Sequence, residues 1–344
     1  MSAWNARGQH TRGGHTEGRQ HTRGRWARLL TGALAASLLL AGCATGNAGA
    51  SAAGDAAASA AARPSIVVTT NILGDVVQQL VGDTAEVTVL MRPGADPHSF
   101  EISAQEAAAL DHAELVVSNG LGLEEGLQQH LDRVAAAGGA QFVAGDHITP
   151  LKNARSSATP DPHFWTDPQR MIEVVNAMGV ALTTGDVPGF GDAARSDITE
   201  RAATYAAQLG SIDAEMSARF GAIPENERTL VTNHHVFAYL AERYNFRVLG
   251  TAIPGGTTLA APSASDLRGL VDAITEARVP TIFAESSAPD RLMRVLADEA
   301  GVDVRVVELF TESLSPPGGG AESYTEMLAT NTERIASGLT RSDH

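Results

Sequence analysis

The chain has a single cysteine, Cys43, among 344 residues. An internal disulfide is therefore excluded. Basic residues are scarce as well. Twenty-five Lys and Arg stand against 40 Asp and Glu, a formal net charge of −15. Arg7, Arg12, Arg19, Arg23, Arg25 and Arg28 all fall in the first 42 residues, beside one acid, Glu17, so the body of the chain is more acidic than the total. Nucleic-acid binding needs a basic face for the phosphates and is excluded by this balance. Attraction of cations is compatible with it. The apolar run Leu29 to Ala41 falls short of the ~20 residues that span a bilayer. Neither an HExxH nor a GxSxG pattern occurs, so the motifs of the common zinc and serine hydrolases are missing. A zinc-dependent hydrolase, the competing class of function, would also keep one coordination position open for water.

The N-terminus reads as an address. An Arg-rich segment, with HTRG at 10–13 and again at 21–24, precedes the short apolar run and Gly42-Cys43. A basic region followed by a short apolar one marks an export signal. The block Leu40-Ala41-Gly42-Cys43 resembles the bacterial lipoprotein signal, which implies cleavage after residue 42 and lipid on Cys43. Residues 43–63 are mostly Ala, Gly and Ser, a composition suited to a flexible tether. The histidines at 10, 15 and 21 belong to the segment that is removed.

Beyond the tether, β-branched runs alternate with helical patterns. Strands are expected at 65–70, 86–91, 114–120 and 141–145, with helices at 71–81, from Ser103, over 122–136 and over 169–182. Ser103 and Glu106 have capping-box spacing. The order strand–helix–strand implies parallel sheets covered on both faces. After Val187-Pro188-Gly189 the pattern changes. Ile198, Ala202, Tyr205, Leu209, Ile212, Met216, Phe220 and Ile223 form one stripe of a single long helix, about 45 Å for some 30 residues. Strand–helix alternation then resumes to residue 339. The expected fold is α/β, with two lobes, each a parallel sheet flanked by helices, joined by one long rigid helix. The divisions are 64–186, 187–222 and 223–344.

Eleven histidines need sorting. Three are in the leader, and His344 is terminal. His112 and His130 sit in helical patterns as surface or packing residues, while His147 follows a strand and is a weaker ligand candidate. The others stand where parallel sheets place ligands, beyond the carboxyl ends of strands. His98 lies in PGADPHSFE, His163 in DPHFWTDP, and the pair His234-His235 in VTNHHVF. Pro162 and Pro168 restrain the residues before them, so His163 is offered from a stiff turn. Glu285 and Glu312 follow two later strands. Three imidazoles and one carboxylate make a natural zinc set.

At these residues the chain resembles the metal-binding receptor lipoproteins of zinc and manganese ABC importers, the family 9 solute-binding proteins. The matching blocks are PGADPHSFE (93–101), NGLGLEEGL (119–127), DPHFWTDP (161–168), VTNHHVFAYLAERY (231–244), TIFAESS (281–287) and ELFTESL (308–314). The resemblance implies a two-lobed fold with metal bound between the lobes, and no catalysis. By position it implies His98, His163 and His234 as ligands, with Glu312 fourth, where relatives usually carry Asp. His235, Glu285 and His147 are supporting groups or alternative ligands. With imidazole at the third position, softness favours Zn²⁺ over Mn²⁺; manganese is the alternative cargo. The implied partners are an importer's permease and its ATPase, with the receptor a monomer held at the outer face of the cytoplasmic membrane by its lipid. Some relatives are called adhesins, but no segment here encodes adhesion separately. A siderophore or corrinoid receptor would instead want an aromatic or Arg-lined cleft.

Overall fold

The structure, a computed structural model, describes residues 63–152, 159–184, 187–301 and 303–340. The leader, Cys43 and the tether as far as residue 62 lie outside them. No described helix is long and apolar enough to cross a membrane.

The first lobe runs β1 (Ser65–Val68), α1 (Asn71–Val81), β2 (Glu86–Val89), α2 (Ala104–His112), β3 (Leu115–Ser118), α3 (Gln128–Ala136), β4 (Gln141–Val143) and α4 (Pro168–Thr183). Its sheet has the order β2-β1-β3-β4 with every neighbouring pair parallel. Alternate residues of each strand leave by opposite faces. Val67 and Val116 therefore join Leu110, Leu127 and Leu131 beneath α2 and α3, while Ile66, Val68 and Val117 face the middle of the molecule. The helix starts follow local chemistry. The Thr70 hydroxyl accepts the N–H of Leu73, Ser103 and Glu106 form the expected capping box, and Asp167 caps α4, whose first residue is Pro168.

One helix is shorter than expected. The pattern over 122–136 predicts a single helix, but α3 begins only at Gln128, after a 3₁₀ turn over Glu125–Leu127. Gly120, Leu121 and Gly122 all take positive φ, 75°, 57° and 83°. That arch brings the Glu124 carboxylate back to the N–H groups of Asn119 (2.6 Å) and Gly120 (3.1 Å) and to the Thr69 hydroxyl (2.7 Å). Burial pushes the Glu124 pKa up, against these hydrogen bonds.

The spine is α5 (Asp192–Gly221), 30 residues long. Its buried stripe is Ile198, Ala202, Tyr205, Leu209, Met216 and Phe220, with Asp213 among them. Asp213 receives hydrogen bonds from Gln169 (2.9 Å), Arg243 (2.9 Å to Nε) and the Tyr244 hydroxyl (2.8 Å). A charge on the apolar stripe thus ties α4 to the next lobe's first helix. Burial acts to raise its pKa, but these partners hold it below the usual carboxylate value.

The second lobe runs β5 (Thr229–Thr232), α6 (Ala238–Tyr244), β6 (Arg247–Thr251), α7 (Ala264–Ala277), β7 (Thr281–Glu285), α8 (Arg291–Glu299), β8 (Arg305–Leu309) and α9 (Tyr324–Leu339). Here the expectation of one continuous sheet is refined. Two parallel ladders form, β5-β6 and β7-β8, with β5 alongside β7. At their carboxyl ends a side chain takes the place of a ladder bond: Asn233 Oδ1 accepts the N–H of Glu285 at 3.2 Å. The register of β5-β6 also shifts between Leu230 and Val231.

Each lobe has its own outer apolar layer, under α2 and α3 in the first and under α7 and α8 in the second. The inner faces are not separate. One cluster runs from Ile66 and Val76 through Met178 and Leu209 to Phe283, Leu309 and Tyr324.

Candidate metal centre

The four positions His98, His163, His234 and Glu312 come together, each offering one ligand atom within 4.8 Å of all the others. All four are buried. Each reaches the centre from just past a strand or a stiff turn. His98 lies in the loop after β2, and His163 at the turn that precedes α4. His234 stands two residues after β5, and Glu312 three after β8. Two ligands come from each lobe.

The spacing is informative. Nε2 of His163 lies 3.4 Å from Nε2 of His98 and 3.3 Å from that of His234. Glu312 Oε2 is 3.4 Å from His98 Nε2, and Oε1 is 3.5 Å from His163 Nε2 and 3.3 Å from His234 Nε2. A tetrahedron with metal–nitrogen bonds of about 2.0–2.1 Å has edges of about 3.3–3.4 Å. With Glu312 Oε1 as the fourth vertex, four of the six edges, at 3.3–3.5 Å, are close to the length a small four-coordinate ion requires, and Oε2 lies at a similar distance from His98.

The hydrogen bonds point the same way. His163 Nδ1 lies 2.7 Å from Asp161 Oδ1, which also accepts the His163 N–H at 2.9 Å. His234 Nδ1 bonds to Glu285. When Nδ1 donates to a carboxylate, the lone pair is left on Nε2, the nitrogen that faces the cluster. Both carboxylate oxygens of Glu312 are buried with no hydrogen-bond partner. A buried carboxylate without a partner is costly, and lone pairs facing one another repel; a cation at the centre relieves both. Titration reflects the same demand. Burial works against a charge on His234, yet Glu285 and Glu312 raise its pKa well above normal. Burial raises Glu312, but His234, His163 and His98 hold it at about 2. His98, whose Nδ1 is buried without a partner, is pushed down by burial to about 4.

Two expected alternatives are not in the group. His147 is exposed at the end of a 3₁₀ turn over Ala144–His147 and stacks on Phe142, ring centroids 4.4 Å apart. His235 is half-buried, its N–H points to the Gly255 carbonyl at 3.4 Å, and of the pair only His234 belongs to the cluster. Glu285 supports His234 from behind. Sequence reasoning assigned no role to Asp161, Asp96 or Glu124. The signal was present in the repeated Asp-Pro-His, because an aspartate two residues ahead can close a turn on the histidine's N–H. Trp165 donates its indole N–H to the Thr311 carbonyl at 2.7 Å. That bond seats the Glu312 loop against the first lobe. Asn71 does the same, donating to Ser313 Oγ (2.7 Å) and accepting from Leu314 N–H (2.9 Å).

Four potential ligand atoms brought by two lobes to one buried point are the make-up of a metal-binding protein. Known proteins fit that class. The model of the periplasmic zinc-uptake complex component A family matches residues 66–338. The zinc-binding protein TroA of Treponema pallidum is 30% identical over 285 residues, covering 81% of this chain and 90% of its own. The manganese-binding lipoprotein MntA of Bacillus subtilis is 28% identical over 319 residues, 90% of this chain and 98% of its own. The iron-binding protein YfeA of Yersinia pestis is 26% identical over 274 residues, 80% and 86% respectively. The solved structure of the periplasmic zinc-binding protein TroA superimposes with a TM-score of 0.75 at 28% identity, over 81% of this chain and all of that one. The chain belongs to this family of metal-binding, non-enzymatic components of ABC metal importers.

Proposed function

We propose that the protein captures one divalent transition-metal ion, zinc in preference to manganese, outside the cytoplasm. It delivers the ion to the permease of an ABC importer powered by its ATPase. His98, His163, His234 and Glu312 are the ligands. The protein acts as a monomer, held to the membrane by lipid on Cys43. The observation that carries this reading is the buried, hydrogen-bond-free Glu312 carboxylate at tetrahedral edge distances from three imidazole nitrogens. Three nitrogen donors and one oxygen favour zinc on softness, and zinc also stands above manganese in intrinsic affinity. Relatives named as manganese-binding lipoproteins keep manganese as the second reading.

The test is zinc titration of the metal-free chain, with metal analysis of protein grown with both ions. One zinc per chain is expected, with His98→Ala and His163→Ala each losing it. Unchanged binding in both variants would overturn the site. Equal zinc and manganese contents would overturn the preference. Retained tight binding in Glu312→Gln would remove that carboxylate from the ligand set.

A further inference from the structure

The carboxylate of Asp96 joins two lobes. Its Oδ1 accepts the N–H of His98 at 2.9 Å, which fixes the turn that carries that imidazole. Its Oδ2 accepts the Ser99 hydroxyl at 3.1 Å and the Thr258 hydroxyl at 2.5 Å. Thr258 belongs to the other lobe, on the connection from β6 to α7. The same connection is bonded to the His234 turn: the Ile253 N–H reaches the Asn233 carbonyl at 2.6 Å, and the Gly255 carbonyl accepts from His235. It therefore runs from one ligand's turn to another's.

Several other lobe-to-lobe bonds around the centre are of a different kind. Trp165 to Thr311 and Asn71 to Ser313 are buried, as is the bond from the Tyr239 hydroxyl to the Asp161 carbonyl (2.7 Å). They sit within the shared apolar cluster and have no water to replace them. Asp96 and Thr258 are only half-buried, and the next residue, Leu259, is 56% exposed. Water can take over this bond when it breaks, as it can at the exposed Gly94, whose N–H donates to Ser313 Oγ at 2.8 Å in the same loop. The connection also contains Gly255 at φ 103° followed by Gly256, a backbone with freedom to swing. Among the three histidines, only His98 lacks a partner on Nδ1.

Resting on the capture function proposed above, we infer that the Asp96–Thr258 bond is the latch that holds His98 on the ion. Both are positioning residues that set how fast the ion leaves. Release begins when the 252–263 connection swings off Asp96 and the His98 turn loosens, while the buried flank stays closed.

The experiment is stopped-flow zinc release into excess chelator from the full-length chain, comparing wild type with Thr258→Val and Thr258→Ser. Loss of one hydrogen bond to a charged group predicts about a tenfold faster dissociation for Thr258→Val. Thr258→Ser, which keeps the hydroxyl, is expected to restore the wild-type rate, with the melting temperature of the metal-free protein the same in all three. A Thr258→Val rate within twofold of wild type overturns the latch and leaves the capture function standing. A Thr258→Ser rate as fast as that of Thr258→Val also overturns it, since the hydroxyl would then be irrelevant. A wild-type chain that holds no zinc overturns the capture reading, and the latch with it.

Discussion

The turns Asp96-Pro97-His98 and Asp161-Pro162-His163 have the same three residues, yet the two carboxylates do different work. Both close the turn on the histidine's own N–H, at 2.9 Å in each case. Asp161 then takes Nδ1 of the same histidine, and its backbone carbonyl is held by Tyr239. The carboxylate's own bonds are buried and go to His163. Asp96 leaves Nδ1 of His98 alone and reaches across to Thr258. One turn makes a fixed post and the other a movable one. The difference arises outside the motif: His163 is followed by the buried Phe164 and Trp165, while His98 is followed by the exposed Ser99.

The largest effect separating the two turns should come from the ligands. His163→Ala is expected to lower zinc affinity by more than the ~10–100-fold that loss of a supporting carboxylate costs, as measured by competition with a chelating dye. Next, Asp161→Asn should weaken equilibrium affinity by about 10–100-fold, whereas Asp96→Asn should act mainly on the dissociation rate. Equal losses of affinity in the two variants would erase the distinction drawn here. A smaller effect falls on stability. Trp165→Phe leaves the buried Thr311 carbonyl without its donor and should cost about 1–3 kcal/mol in urea unfolding of the metal-free protein. In hydrogen exchange, the amides of 311–315 should stay protected with or without zinc, and those of 253–259 should gain protection only when zinc is bound.

The smallest effect is one of pH, away from the ion. Asp213 has a depressed folded pKa, so its contribution is present above the unfolded value of about 3.9 and is lost as pH falls through the lower folded value. Asp213→Asn should therefore lower stability at pH 7 while leaving the protein nearly as stable as wild type near pH 2. Separately, zinc affinity should fall on acidification, because imidazoles must lose their protons to bind.

Periodicity carried most of the architecture. The stripe from Ile198 to Phe220 specified α5 nearly to its ends, since nothing but a long helix places those residues on one face. The split of the second sheet could not be read, because Arg247–Thr251 and Thr281–Glu285 are good strands whether or not they share ladders. Asp213 was invisible for a related reason. A charge beside Ile212 looks like a solvent position until Arg243, thirty residues later, is brought up to it. The four clustered positions stood out through the spacing of histidines past strand ends and through family blocks, because ligand chemistry restricts residue type. Glu285 stood out only as a supporting group or alternative ligand, and Asp161 not at all, since carboxylates on turns are common and only three-dimensional placement sets them behind an imidazole. His147 follows a strand as the pattern asked, but it lies exposed against Phe142, outside the cluster.

The cluster that runs unbroken from Ile66 to Tyr324 has a consequence for how the gene product can be divided. A fragment ending near residue 186 would carry every strand of the first sheet but would lose α5, against which α1 and α4 pack. The two lobes are distinct as binding surfaces but not as folding units. Cutting the chain at the spine should give insoluble halves, and joining the two halves' genes through a flexible linker in place of α5 should not rescue them, because the spine's own side chains fill the space between.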